Sequence, residues 1–336
     1  MRKFFLVVLG LLAFAYIVFS FTELENIEAA LRQSKPVYIG IAVFVEAVLL
    51  LNTTATFWAL YRLVGLHERG RSLFLMVTAA TFVNLVTPSS GIGGMTVFLD
   101  EAHRRKLSTG RVTVAGILYV LYEYVALFVA LAAGFVILAQ LGKLNLVEVL
   151  AAGFLVLLAA AISAGLVVGY RSTRQLGNLL AWLARAANRL VHPFLHRDVL
   201  KVASAYTLSD EMTEGLTSLR TSTSGQMLLP LVFTLINKVL LILVLTLSFL
   251  ALNIPVNGQI VVAGFSVGHL FVYASPTPSG LGLVDSILPV VLNSLDVPFP
   301  GAVLIALVYR AVTYWLPLGL GALAFRALQR TQTGRA

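Results

Sequence analysis

Cysteine is absent from this 336-residue chain. Its absence excludes thiolate catalysis, Cys-ligated zinc, iron–sulfur clusters and disulfides together. Charge is scarce as well: 12% of residues are Asp, Glu, Lys or Arg, about half the usual share of a soluble domain. Hydrophobic residues make up 59%, and mean hydropathy is +0.91. That balance excludes a soluble enzyme, a secreted disulfide-rich module and a disordered tail. Phosphate-cradling GxxxxGK[ST] loops, Ser/His/Asp order and paired cytosolic aspartates of a glycosyltransferase are missing too, so no cofactor and no enzyme activity are expected. The net charge of +9 raises nucleic acid as a partner, and where the basic residues fall decides that question.

What the chain has in abundance is long apolar runs, several of 18 or more residues, which read as membrane spans. Six full spans are expected at 4–21, 36–63, 111–141, 146–170, 226–252 and 301–325. The first follows Arg2-Lys3; it is longer than a signal-peptide core, with no small-x-small cleavage site behind it, so it reads as a retained span. Two further runs begin at Ser72 and Gln259 and are broken early. Their breaks are Thr87-Pro88-Ser89-Ser90-Gly91-Ile92-Gly93-Gly94 and Pro276-Thr277-Pro278-Ser279-Gly280-Leu281-Gly282. Residues 171–225 form the one long polar stretch. There Leu176, Leu179, Leu183, Leu190 and Phe194 fall near one helical face, and Arg174, Asn178, Arg185 and Arg189 on the other. That pattern fits a helix in the membrane interface with its arginines toward anionic headgroups, or a connector helix packed on the bundle. A single membrane domain, 1–336, is expected.

Lysine and arginine set the orientation. Arg62, Arg69 and Arg71 precede the Ser72 run, and Arg104, Arg105, Lys106 and Arg111 follow its break. Both ends are therefore expected on the cytoplasmic side, making the segment re-entrant. Around the second break the flanks carry no base, so that hairpin is expected to enter from outside. Of the 24 Lys and Arg residues, 19 then fall in the cytoplasm, 3 outside and 2 within spans. The basic excess is thus a topology signal, and nucleic acid is not an expected partner. Both termini are expected in the cytoplasm, in the inner or plasma membrane of a prokaryotic cell.

The two breaks resemble each other, and each sits in a unit of span, hairpin, span: 36–141 and 226–325. Equal architecture in opposite orientation is an inverted repeat, as in many secondary transporters. Charges follow the same register. Glu46 lies 42 residues before Pro88, and Lys238 lies 40 before Pro278; Glu123 lies 35 after Pro88, and Arg310 lies 32 after Pro278. Neighbours match too, Tyr122-Glu123 against Tyr309-Arg310. Each charge at mid-bilayer costs roughly 2.5–3.5 kcal/mol on insertion scales. Such residues persist as buried ion pairs that dock the repeats, or as a polar cleft for a charged headgroup; the sequence does not say which acid meets which base.

Proline and glycine at the tips free backbone N–H and C=O groups that hydrocarbon cannot satisfy, so the breaks must be buried in protein or line a cavity. Half-helix N-termini after Gly94 and Gly282 would present N–H groups to an anion such as phosphate. Asp285 suits a helix cap better than a proton or cation site, and Asn84 suits support of freed backbone groups. His269 reads as a hydrogen-bonded core residue, and His192 and His196, with no carboxylate within their motif and Pro193 interrupting it, do not read as metal ligands.

Asn84…Pro88…Gly91-Ile92-Gly93, Tyr122-Glu123, Pro278-Ser279-Gly280-Leu281-Gly282…Asp285 and Tyr309-Arg310…Tyr314-Trp315-Leu316-Pro317 together resemble the lysylphosphatidylglycerol synthase transmembrane family, also called the flippase-like domain family. The resemblance runs from about residue 4 to 327. In fused members this membrane part is linked to translocation of aminoacylated phosphatidylglycerol, which a cytosolic aminoacyltransferase domain makes. Here about ten residues follow the last span, so the resemblance implies a translocator-like module without synthase activity. Members commonly carry Arg directly after the glutamate of the span behind the first motif, where this chain has Tyr124. The expected function is a lipid translocator whose headgroup cleft holds Glu46, Glu123, Lys238, Arg310 and Asp285, with membrane lipids of anionic headgroup as partners. The alternatives are an intramembrane transferase on a lipid-linked substrate, or an anchor for a separate lipid-modifying enzyme.

Overall fold

A computed structural model describes residues 28, 30–32, 34–87, 93–195, 202–219, 222–275 and 283–333. The first expected span and the two tips, with Pro88, Gly91, Pro278, Gly280 and Gly282, lie outside the described residues. Among the described residues every regular element is helical: α1 (Pro36–Leu63), α2 (Gly70–Val86), α3 (Met95–Arg104), α4 (Thr109–Gln140), α5 (Leu146–Arg171), α6 (Thr173–Leu195), α7 (Val202–Ser218), α8 (Ser224–Ala251), α9 (Gly258–Ala274), α10 (Leu283–Ser294), α11 (Phe299–Arg310) and α12 (Leu316–Thr333). Among the described residues five helices are long and apolar enough to cross a membrane: α1, α4, α5, α8 and the run Phe299–Arg330. They coincide with five of the six expected spans.

Local sequence accounts for the ends. Pro36 opens α1 where its missing N–H costs nothing. Capping boxes, Asn145 with Glu148 and Thr223 with Gln226, open α5 and α8. Between α11 and α12 the helix widens to a π turn, Ala311–Trp315, in which the Leu316 N–H reaches back to the Ala311 carbonyl. Pro317 explains the widening. It has no N–H for the Thr313 carbonyl, and its ring crowds that oxygen, so the preceding turn opens.

The interrupted runs form paired short helices. Both α2 and α9 have 17 residues, a rise of about 26 Å, less than the roughly 20 residues a span needs. Each stops on an extended residue, Thr87 and Ser275, both at ψ 137°. Arg105, just past α3, binds Glu68, just before α2, at 2.9 Å, so this hairpin begins and finishes at one end of the bundle. From there α1 leads back to the other end, where the Lys35 N–H donates to the Ala251 carbonyl at 2.8 Å. At that second end Ile254, before α9, approaches Gly301 in α11, and Lys143 pairs with Asp296 at 2.9 Å. The two hairpins thus open at opposite ends.

Packing is reciprocal. Helices α1 and α8 lie antiparallel against each other, α2 packs on α12, and α9 packs on α4. Two glycines permit the latter crossings. A Cβ on Gly134 would collide with the Ser266 side chain of α9, and one on Gly321 would sit 2.7 Å from the Thr78 carbonyl of α2. Small residues at such crossings let helix backbones approach closely. Gly134 follows Glu123 by eleven residues, and Gly321 follows Arg310 by eleven.

The polar stretch folds as a pair, α6 on α7, docked on α4 and α5. It buries Leu176 and Ala181, and leaves Arg174, Asn178, Arg185 and Arg189 exposed beside Trp182. Of the two readings left open by its periodicity, the packed connector describes its inner face. Glu211 of α7 anchors it: its carboxylate accepts the Gly110 N–H at 2.7 Å and the Thr109 and Ser108 hydroxyls at 2.9 and 3.2 Å. Partial burial pushes that carboxyl up, but these donors push it down further, and it lies below its ordinary value. On the periphery α5 exposes Leu146, Leu150, Phe154 and Leu157, a surface suited to acyl chains.

Candidate functional site

The expected intramembrane charges do not gather into one cluster. Glu123 of α4 meets Lys238 of α8, Oε2 to Nζ, at 2.6 Å, with side chains 7% and 5% exposed. The Tyr273 hydroxyl of α9 donates to the same Glu123 oxygen at 2.8 Å. Lys238 also lies 3.2 Å from His269 Nε2. An ammonium can only donate, so this nitrogen is the acceptor of a neutral imidazole whose proton is on Nδ1. Glu123, Lys238, His269 and Tyr273 therefore form one network linking α4, α8 and α9. His269 stacks on Phe265 and meets Tyr273 edge-on. Sequence reasoning passed over Tyr273 and left His269 as a core residue; their spacing of four on one helix was the available signal.

Arg310 pairs with Asp285, its Nε and Nη2 each reaching one carboxylate oxygen. Such a fork fixes direction as well as charge. Asp285, expected from sequence to cap the half-helix, thus sits in an ion pair within 226–325, while Lys238–Glu123 joins the two units. A pocket of about 200 Å³ reaches Arg310 of one pair and His269, the neighbour of Lys238 in the other, with Tyr309, Thr313 and Tyr314 also in its lining and Leu85 closing it from the other unit.

Glu46 stands apart. It is 3% exposed, and its Oε2 is sealed from solvent without a hydrogen-bond partner. An acid expected to balance a base in the cleft makes no ion pair among the described residues.

Near the first break, Asn84 Oδ1 accepts the Gly94 N–H, one of the unsatisfied donors at the start of α3. A side chain at Gly94 would collide with the Ala80 carbonyl at 2.6 Å. Below this contact lies a larger cavity, about 750 Å³, bounded by α1 to α7. Its walls are mostly apolar, including Val120, Ile162, Leu166 and Leu180, with Thr53, Thr81 and Asn84 as polar spots. Among the described residues no group of three His, Asp or Glu side chains converges as a metal site.

These features define a multi-pass α-helical membrane protein with buried ion pairs between its helices. The family description "Lysylphosphatidylglycerol synthase TM region" matches residues 4–321, and the chain belongs to that family. Similar proteins include a UPF0104 membrane protein of Methanothermobacter thermautotrophicus, 24% identical over 95% of this chain and 93% of that protein. Another is a UPF0104 membrane protein of Methanocaldococcus jannaschii, 22% identical over 96% of this chain and 95% of that one. A second Methanocaldococcus jannaschii protein of that name is 32% identical over 30% of this chain and 44% of its own length. No solved structure matches the chain significantly.

Proposed function

We propose that this protein moves a membrane lipid between leaflets, passing its headgroup through the pocket that Arg310 and His269 line. The observation that carries the reading is that pocket: it holds a fixed guanidinium and a histidine deep among spans, where charge is costly unless used. Arg310 is the group that meets an anionic headgroup phosphate, since a guanidinium binds phosphate through the same fork it presents to Asp285. Asp285 keeps the base compensated when no lipid is present, and Lys238 with Glu123 holds the units in register. An acyl chain has room in the 750 Å³ cavity, beside the lipid-facing surface of α5.

The reading includes an inverted repeat with two re-entrant hairpins, which supplies alternating access by rocking one unit on the other. Three facts support it: the hairpins open at opposite ends, α1 and α8 are antiparallel, and Gly134 and Gly321 occupy equivalent crossings. In this orientation the end carrying Glu68 and Arg105 faces the cytoplasm. The protein acts as a carrier and changes no bond in the lipid.

Reconstitution into liposomes with fluorescent phosphatidylglycerol, read by quenching of the outer leaflet, tests the proposal. Wild-type protein is expected to equilibrate the label across the bilayer. Arg310→Gln, folded by its elution from a sizing column, is expected to lose that activity. Full activity in Arg310→Gln sinks the headgroup role, and a new lipid species on chromatography favours a transferase instead.

A further inference from the structure

Four of the five intramembrane ionisable residues singled out by sequence are compensated, and the exception is Glu46. Lys238 is held by Glu123 and His269, and Arg310 by Asp285. Glu46 lies on α1 among Ala42, Val45 and Leu50, all buried, and its Oε2 is sealed from water and has no partner among the described residues. A carboxylate cannot remain charged and alone in such a place; it takes up a cation or a proton.

The surroundings choose between them. Hard metal cations require about six oxygen ligands, and among the described residues Glu46 belongs to no converging group of three His, Asp or Glu side chains. The side of α1 that carries it packs into an apolar cluster with Leu245, Tyr309 and Val312. The elements packed on α1 are α2, α4, α8 and the π turn. Their charged or titratable groups in the membrane are Glu123, with Tyr119, Tyr122 and Tyr124, on α4; Lys238 on α8; and Tyr309, Arg310 and Tyr314 around the π turn. Each charged member of that set already has a partner. Tyr309 packs in the same cluster as Ala42 and Val45 beside Glu46, and it also lines the pocket beside Arg310. It therefore stands between the orphan carboxyl and the headgroup position, two residues before the π turn Ala311–Trp315, a kind of helix irregularity that is frequent at functional sites.

We infer that Glu46 is a proton-binding site that couples lipid movement to a transmembrane proton gradient. In each cycle one proton enters from one side, neutralises Glu46, and leaves to the other side once the units have rocked. No lipid bond forms or breaks, and Tyr309 reports the state of Glu46 to the pocket. The coupling rests on the translocation reading above; the proton site itself does not.

Two experiments separate them. Dicyclohexylcarbodiimide, an apolar reagent that adds to protonated carboxyls, is applied to the full-length protein in detergent across a pH series. Mass spectrometry of peptides is expected to find Glu46 modified, faster at lower pH, with Glu123 and Asp285 spared by their ion pairs. Glu46 unmodified at every pH in folded protein overturns the site. In liposomes loaded with fluorescent phosphatidylglycerol, an imposed pH gradient is expected to accelerate wild-type movement several-fold. Glu46→Gln, a near-isostere of the neutral acid, is expected to keep downhill movement and lose the acceleration, while Glu46→Asp retains part of it. Undiminished acceleration in Glu46→Gln overturns the coupling. If wild-type protein moves no lipid at any pH, the translocation reading and the coupling fall together, and the labelling still decides the proton site.

Discussion

Residues 36–141 and 226–325 share a layout and differ in chemistry. Each has a long helix, a 17-residue arm, a short return helix and a second long helix carrying a charge eleven residues before a crossing glycine. Yet the first encloses an apolar cavity of about 750 Å³, and the second shapes a pocket of about 200 Å³ around Arg310 and His269. The docked pair α6–α7 makes the difference, since Leu176, Leu179 and Leu180 roof the first unit's cavity and no described helix pair does the same for the second. Spacing and small residues set where the helices run; side-chain identity sets what the spaces between them can hold.

The largest effect should come from the junction that joins the two units. Lys238→Met leaves Glu123 buried with Tyr273 as its remaining partner among those described, and is expected to cost about 3–5 kcal/mol. Thermal unfolding in detergent measures it. Adding Glu123→Gln should restore most of the loss, and a double variant as unstable as the single would deny that the pair is what matters.

The shared layout is tested at its two crossings. Gly134→Ala and Gly321→Ala each force a Cβ into a neighbouring helix, expected to cost about 1–3 kcal/mol apiece. Comparable losses support equivalent crossings. A large loss at one glycine and none at the other would break the equivalence.

The contrast in cavities is tested at Gly165, where an added Cβ meets only Leu179 at 3.8 Å. Gly165→Leu fills space in the apolar cavity, so stability should change by less than about 1 kcal/mol while lipid movement falls several-fold in the liposome assay. Unchanged movement would mean that no chain uses the cavity.

The smallest effect belongs to the docked pair. Glu211 lies below its ordinary value of about 4.5, so its contribution is present above that value and disappears as pH falls through the lowered one. Glu211→Gln should be less stable at pH 7 by under about 1 kcal/mol, after solvent screening, and the gap should close on acidification. A gap that is the same at pH 3 and pH 7 refutes the ionic part of the anchor.

Much of the architecture is legible in the sequence because the bilayer imposes length and polarity on every crossing segment. Five of the expected spans and both short arms stand where apolar runs predict them. The site is less legible. Glu46, Glu123, Lys238 and Arg310 are visible as costly charges, but register alone pairs none of them. Asp285 looks like a cap, since it follows a Pro/Gly break by three residues, and only the position of α11 over α10 brings Arg310 to it. A spacing of four from His269 is the one signal Tyr273 carries in an apolar helix; it matters because α9 crosses α4 at Gly134 and Ser266, which brings its hydroxyl to Glu123.

The sequence by itself determined that this chain lives in a membrane, where five of its long helices run, where the two short arms stop and which residues are too polar for lipid. Those are properties of one segment against its solvent, and hydrophobicity and backbone chemistry settle them locally. Only the tertiary structure decided which charge is answered and which is left alone. Partner choice depends on contacts between residues more than a hundred positions apart, such as Glu123 with Lys238, and a side chain's compensation is a property of the helix that happens to lie across from it.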